Sequence, residues 1–438
     1  MAQAPEPRID KSQFLAGAER LRDAGPDWAK ALRAKNAARF AELEFPHRKM
    51  EEWRFTNVAP IYRTPFRPLT GPGADVDAAA VAPFRYEGNW TELVFVDGFF
   101  AKGLSWMREG LVAASLADSL LTHGALIEKH LGSYLNGTTN AFAALNAAVL
   151  SDGAFIHIAK DAALDAPVHI LYINTVRDAD TSTNPRNLIV LEAGARADIA
   201  ESHVALNGAP RYLTNAVTEV LVGENARLHL YKLIHEADES YHLATTKVRV
   251  DSGGDFRSHA ISQSGKIIRN EIGVVLDGDG ANTSLHGLYM TSGDQLVDNP
   301  TAIEHAKPHC TSWIGYKGVL DAKSHAVFSG KVYVHRAAQK TDSNQLNQNL
   351  VLSDKATIDT KPLLEIFADD VKCTHGATVG RPPDELVFYF RTRGMSEAMA
   401  LGMLTYGFAD EVVNQIEIDA VRTRLEQFVF KKYSPIPG

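Results

Sequence analysis

Cysteine is almost absent: the 438 residues contain two, Cys310 and Cys373. That excludes a disulfide framework for a chain this long and fits a reducing compartment. It also excludes any metal site built from this chain's thiolates alone, which commonly takes four. Long apolar runs are missing too; no stretch reaches the ~18 residues of a membrane-spanning helix. A basic excess is lacking, since the formal net charge is −8. This argues against a broad nucleic-acid surface and against a polybasic membrane anchor. The first residues hold no apolar core and carry Glu6 and Asp10 early. A secretory or transit leader is therefore not expected, and the expected setting is cytoplasmic.

Nucleotide and hydrolase motifs are also missing. Gly265-Lys266 and Gly330-Lys331 lack the earlier glycine and the following Ser/Thr of a phosphate-binding loop. There is no His-Glu-x-x-His, Cys-x-x-Cys or Gly-x-Ser-x-Gly. Asp369-Asp370 looks like a carboxylate pair, but on a strand neighbours face opposite ways and cannot share a substrate. A carbohydrate-active β-helix enzyme would call for secretion and paired carboxylates on one strand face, and the sequence offers neither.

What is present is an ordinary globular composition, 45% hydrophobic and 22% charged. Its texture divides the chain in three. Residues 1–150 read as mostly helical. Asp10 can cap a helix carrying Phe14, Ala18 and Leu21 on one face, and Pro26-Asp27 opens another with Trp28 and Leu32. Residues 61–90 read as an irregular wrap, Leu93–Val96 as a short strand, and 111–130 and 140–150 as helical. Residues 151–380 read as short β-branched and aromatic strands separated by Gly/Asp/Asn/Ser turns. An apolar residue followed by a polar turn recurs at Leu191, Leu221, Val250, Leu276, Leu320 and Leu352, stepping by 30, 29, 26, 44 and 32. Such an imperfect repeat with little helix predicts a β-solenoid or a large sandwich. Stacked coils leave an edge at each end, and the terminal helical regions are expected to cap them. Residues 381–438 return to helix: Pro382-Pro383 starts one, Gly394 ends it, Ser396 caps the next, and Val421, Leu425 and Phe428 mark the last.

Cys373-Thr374-His375 is the compact pair of soft ligands. On a strand, i and i+2 project from one face, roughly 6.5–7 Å apart, which suits two ligands of one metal or cluster. A buried cysteine beside a hydrogen-bonded histidine is the competing reading. His305, His309 and Cys310 form a weaker metal candidate in a Lys/Pro-containing loop. His229, His235, His242 and His259, spread through strand segments, read as structural or surface residues.

The segment Leu364–Phe390, with its Cys373-Thr-His-Gly-Ala-Thr378 run, resembles the C-terminal signature of the SufB/SufD family. So do Lys340–Leu350, Asp359–Glu365 and, near the N-terminus, Glu51-Glu-Trp-Arg-Phe-Thr-Asn57. Phe142–Asn146 and Asp152–Phe155 fit more loosely. SufB-like chains carry Glu-His-Glu-Ala at 374–377 and a cysteine in the segment that here reads Leu346-Asn-Gln-Asn349, so the SufD side of the family is the nearer match. The resemblance implies a right-handed parallel β-helix with helical N- and C-terminal regions. It implies a non-catalytic scaffold subunit for iron–sulfur cluster assembly that pairs with SufB through the β-helices. Two copies of the ATPase SufC would dock on the C-terminal helices, with Leu386, Phe390, Arg391, Arg393, Gly394, Met395, Leu401 and Leu404 as candidates. Iron or a transient cluster would be shared with SufB at His375 and Cys373, with none held by this chain alone. A homodimer of the isolated chain is the further possibility, and a purely structural adaptor for the ATPase is the alternative function.

Overall fold

The computed structural model describes residues 10–16, 19–22, 24–71, 75–135, 140–175, 178–206 and 210–433. Its centre is a parallel β-solenoid made of an eleven-stranded and a ten-stranded sheet. Consecutive strands alternate between the sheets, so each pairs in parallel with the strand two places on, as Tyr212–Val222 does with Tyr241–Val250. Inward side chains of both sheets form one apolar core, running from Ile170 and Ile199 through Phe256 and Leu285 to Phe328. Burial of that core on both inner faces is the main stabilising term.

The solenoid explains the uneven repeat. Leu191, Val222, Val250, Leu276, His305, Val334 and Ile366 end successive strands of the first sheet. Leu320 and Val351 end strands of the second. Each coil therefore has two sites where an apolar strand end meets a polar turn, and the step of 44 is a jump from one to the other. The true register is carried by backbone. In the turn from first to second sheet one residue per coil is left-handed: Asp161, Gly194, Asn225, Gly253, Gly280, His309 and Lys340, with φ between +55° and +71°. The N–H of each donates to a carbonyl of the next coil, as Gly253 N to Asp279 O and His309 N to Gln339 O. Glycine, Asn and Asp tolerate this conformation best, and most of the ladder uses them.

The two ends differ. At the N-terminal end, Val112–Ser115 and Phe99–Phe100 pair antiparallel onto the sheets and stop the parallel stack. At the other end Thr357–Ile366 and Lys372–Gly380 are the outermost strands of their sheets and, among the described residues, carry no further strand. The C-terminal helices do not cap this end, contrary to expectation. Glu397–Val413 and Asp419–Tyr433 turn back along the outside of the second sheet. Val412, Ile416, Leu425 and Val429 pack there on Tyr231, Ile261, Leu288 and Val319. The outward face of those strands is apolar, and the helices bury it.

The N-terminal region covers the outer face of the first sheet. Asp27–Glu42 is helical as read. The helix expected from Asp10 to Leu21 is instead a 3₁₀ turn, Lys11–Leu15, capped by Asp10, and a separate turn of helix at Glu19–Arg22; Ala18 lies outside the described residues. Asn140 caps Ala141–Ala148 by accepting from the N–H groups of Phe142 and Ala143. Two buried ion pairs pin this region. Arg186 pairs with Glu219, whose carboxylate also accepts from Gly132 N and Tyr134 N. Arg269 pairs with Asp298, which accepts from Thr56 Oγ1 at 2.5 Å, while the Trp53 ring lies 3.7 Å from the Arg269 guanidinium. The Glu51–Asn57 motif is thus a docking element.

Candidate functional site

The uncovered end of the solenoid gathers the sequence-singled residues. Lys372–Gly380 is the outermost strand of the second sheet, in register with Asp342–Val351. Cys373 lies over buried Ser343 and packs against the solenoid core, so it faces inward. His375, two residues on, shares that face and lies over buried Gln345. With no coil above them, Cys373 is half-buried and His375 exposed. The expected strand and common face are both present. Burial pushes the Cys373 thiol up, and the carboxylate of Asp342 adds to the effect.

The coil beneath is polar where a solenoid is normally greasy. Ser343, Gln345, Asn347 and Asn349 all point inward and are buried. Ser343 accepts from Ser312 Oγ at 2.8 Å. Asn349 Oδ1 accepts from Tyr289 OH at 2.5 Å, and Asn347 Nδ2 donates to that hydroxyl at 3.0 Å. Both amide atoms of Gln345 are buried without a partner among the described residues. Sequence reading passed over this floor. Its signal was there: the alternating Ser343, Gln345, Asn347 and Asn349 put polar residues on the face where the neighbouring strands carry Ile314, Tyr316, Phe328 and Val332.

Asp369 and Asp370 fall in the turn before the edge strand, not on a strand, and Asp370 pairs with Lys340. His305, His309 and Cys310 are separated in role. His305 is buried, with Nε2 2.9 Å from Ser312 Oγ. The Cys310 thiol is buried in the core and donates to Gly278 O at 3.3 Å. His309 is exposed and holds the left-handed turn position, at φ +60°. Among the described residues they do not form a group of converging ligand atoms. A turn role makes a definite prediction. His309→Gly trades left-handed strain of ~1–2 kcal/mol against a glycine entropy cost of ~0.5–1 kcal/mol, so the urea midpoint should hold or rise slightly. A clear drop would mean that the imidazole does more than fill the turn.

Apolar side chains crowd the same end. Phe367 is 55% exposed and Val379 53%. The following helix, Asp384–Arg391, buries none of its residues. Of the docking candidates, Leu386, Arg391, Arg393 and Gly394 are exposed, and Phe390, Met395, Leu401 and Leu404 are half-buried. Gly394, at φ +85°, ends that helix as read. Phe388, Tyr389 and Met403, which the helical pattern did not single out, are exposed as well.

These features define a helix-flanked parallel β-solenoid with one blocked end and one bare end. Residues 173–408 match the family described as "SUF system FeS cluster assembly, SufBD core domain", and residues 12–170 match "SufBD protein N-terminal region". The chain belongs to the SufB/SufD family of iron–sulfur cluster assembly proteins and is SufD-like. An iron-sulfur cluster assembly SufBD family protein of Synechocystis is 34% identical over 88% of this chain and 87% of its own length. The iron-sulfur cluster assembly protein SufD of Escherichia coli is 30% identical over 87% of each chain. A chloroplastic protein of Arabidopsis thaliana is 28% identical over 91% of this chain and 85% of its own. Among the described residues no helix is long and apolar enough to cross a membrane.

Proposed function

We propose that this chain is a non-catalytic, cytoplasmic subunit of an iron–sulfur cluster assembly scaffold, and that its bare end is completed by a SufB-type chain. The observation that carries the reading is the pair Cys373 and His375, on the inner face of an uncovered edge strand above a polar floor. Two ligands are half of what iron or a cluster normally takes, so a second chain must add the rest. An edge strand with free N–H and C=O groups is itself a template for such a chain. Iron or a nascent cluster is the cargo; His375 offers an imidazole, and Cys373 a thiolate once its proton leaves.

The exposed helix Asp384–Arg391 and the residues through Leu404 fit the docking of an ATPase of the SufC type, two copies to a complex. Nucleotide-driven closure of that ATPase would pull on helices anchored along the second sheet, and so transmit strain to the bare end. The test is the iron content of the complex purified anaerobically with its partners. His375→Ala is expected to remove most of the iron and lower cluster yield several-fold while leaving the complex assembled. Unchanged iron would take His375 out of the site and favour a purely structural adaptor.

A further inference from the structure

A second set of metal-type side chains lies far along the solenoid from Cys373 and His375. His203 is on the strand Arg196–Ala205, Glu236 follows Arg227–His235, and His242 is on Tyr241–Val250. All three are buried in the interior, at 0%, 2% and 0% exposure. Each can bring one ligand atom within 4.8 Å of the others'. Among the described residues this is the one group of three or more such side chains that does so.

Each imidazole has a carboxylate at one ring nitrogen. His203 Nε2 lies 2.8 Å from Glu201 Oε1, and His242 Nδ1 lies 3.0 Å from Glu236 Oε1. Glu201 stands behind His203 Nε2 and leaves Nδ1 as its free nitrogen, as behind metal-bound histidines; between His242 Nδ1 and Glu236 Oε1 a cation would take the place of the shared proton, which the ring would then carry on Nε2. Among the described residues, His203 Nδ1 is buried and has no hydrogen-bond partner. Glu236 is held by Tyr212 OH, by Thr214 Oγ1 at 2.8 Å and by Asn174 Nδ2 at 3.2 Å. Lys232 Nζ lies 3.2 Å from Glu201 Oε1 and is the cation of the group. Two carboxylates against one ammonium leave one negative charge uncompensated when the imidazoles are neutral. A buried charge is costly, and a bound cation would balance it.

We infer that His203, His242 and Glu236 form a resident site for a divalent first-row transition cation inside the solenoid, with Glu201 as a positioning residue for His203. Two imidazoles and a carboxylate are donors for zinc or ferrous iron, and not for magnesium or calcium. The burial of the three side chains makes exchange slow and loading a step of folding. The inference does not rest on the function proposed above.

The experiment uses the full chain carrying Cys373→Ser and His375→Ala, which removes the bare end as a competing site. The chain is unfolded with a chelator and refolded with or without Co²⁺. About one Co²⁺ per chain should be retained through gel filtration, with visible d–d absorption and a higher thermal midpoint than the metal-free chain. His203→Gln should lose the absorption and the midpoint shift. X-ray absorption of the cobalt-loaded chain should show two imidazole ligands, which keeps the test decisive where His203→Gln does not fold. Failure to retain cobalt, retention that His203→Gln leaves intact, or a spectrum without imidazole scattering would overturn the assignment.

Discussion

Replacing Arg269 by methionine is expected to lower the free energy of unfolding by about 3–5 kcal/mol, read as a large fall in the urea midpoint. Arg269 and Asp298 are 4% and 1% exposed on the outer face of the first sheet, under the Glu51–Asn57 segment. Methionine fills the space but leaves the Asp298 carboxylate with the Thr56 hydroxyl as its remaining partner. It also removes the cation over the Trp53 ring. Burial already pushes the Asp298 carboxyl up, against the pull of Arg269. Without the guanidinium the group rises further and takes a proton in the folded state. A carboxyl raised by folding contributes stability below its unfolded value and loses it as pH rises through the folded one. The variant should therefore be least impaired in acid and worst above neutrality. Replacing Arg269 and Asp298 together by apolar residues should cost less than Arg269→Met alone, because no buried charge is then stranded. A double variant weaker than the single one would refute the account.

Acid should unfold the protein well before its carboxylates titrate. His229, His259 and His286 stack down the outer face of the second sheet, with ring centroids 5.0 Å and 4.7 Å apart. His229 Nε2 lies 2.8 Å from His259 Nδ1, and Tyr231 OH bonds His229 Nδ1 at 2.7 Å. Burial, aided by Arg257, pushes His229 down to about 3 and His286 to about 4; burial and the neighbouring imidazoles push His259 down to about 2. A histidine depressed by folding binds a proton in the unfolded chain first. Its stabilising effect is complete above the unfolded value near 6.5 and is lost as pH falls from there toward the folded value. Each fully buried histidine then costs up to about 1.4 kcal/mol per pH unit, or about 2 kcal/mol at pH 5. His286 is half-buried and contributes less. Asp198, raised by burial and by Glu417, opposes the trend, chiefly near its own range at the acid end. Thermal midpoints between about pH 7.5 and 5 should fall steeply, and His259→Gln should flatten the slope. Parallel slopes for parent and variant would sink the idea.

Strand content, the terminal helices and the placing of Cys373 and His375 on one strand face were legible in sequence because each depends on local pattern: turn residues, caps, and an i, i+2 pair on one strand. The phase of the coils was hidden. Leu276 and Leu320 look alike in sequence, since both end a strand before a polar turn, yet they belong to opposite sheets. The ladder from Asp161 to Lys340 that sets the phase is a backbone property, and neither histidine nor lysine advertises a left-handed position. His242 is buried and hydrogen-bonded, the structural half of its reading, but an isolated histidine carries no trace in sequence of neighbours 6 and 39 residues away at Glu236 and His203. The bareness of the last strand was equally invisible. Nothing in residues 381–438 announces that their helices fold back along the second sheet rather than over the end.

That asymmetry of the ends has a consequence for growth. A rod with complementary free edges at both ends polymerises, each added subunit presenting a new edge to the next. Here the antiparallel strands Val112–Ser115 and Phe99–Phe100 terminate one end. Were two such chains to join at their bare ends, parallel coils could not be added beyond them, because each far end finishes on antiparallel strands. In that arrangement the antiparallel end would act as a chain terminator, stopping further parallel growth after two subunits.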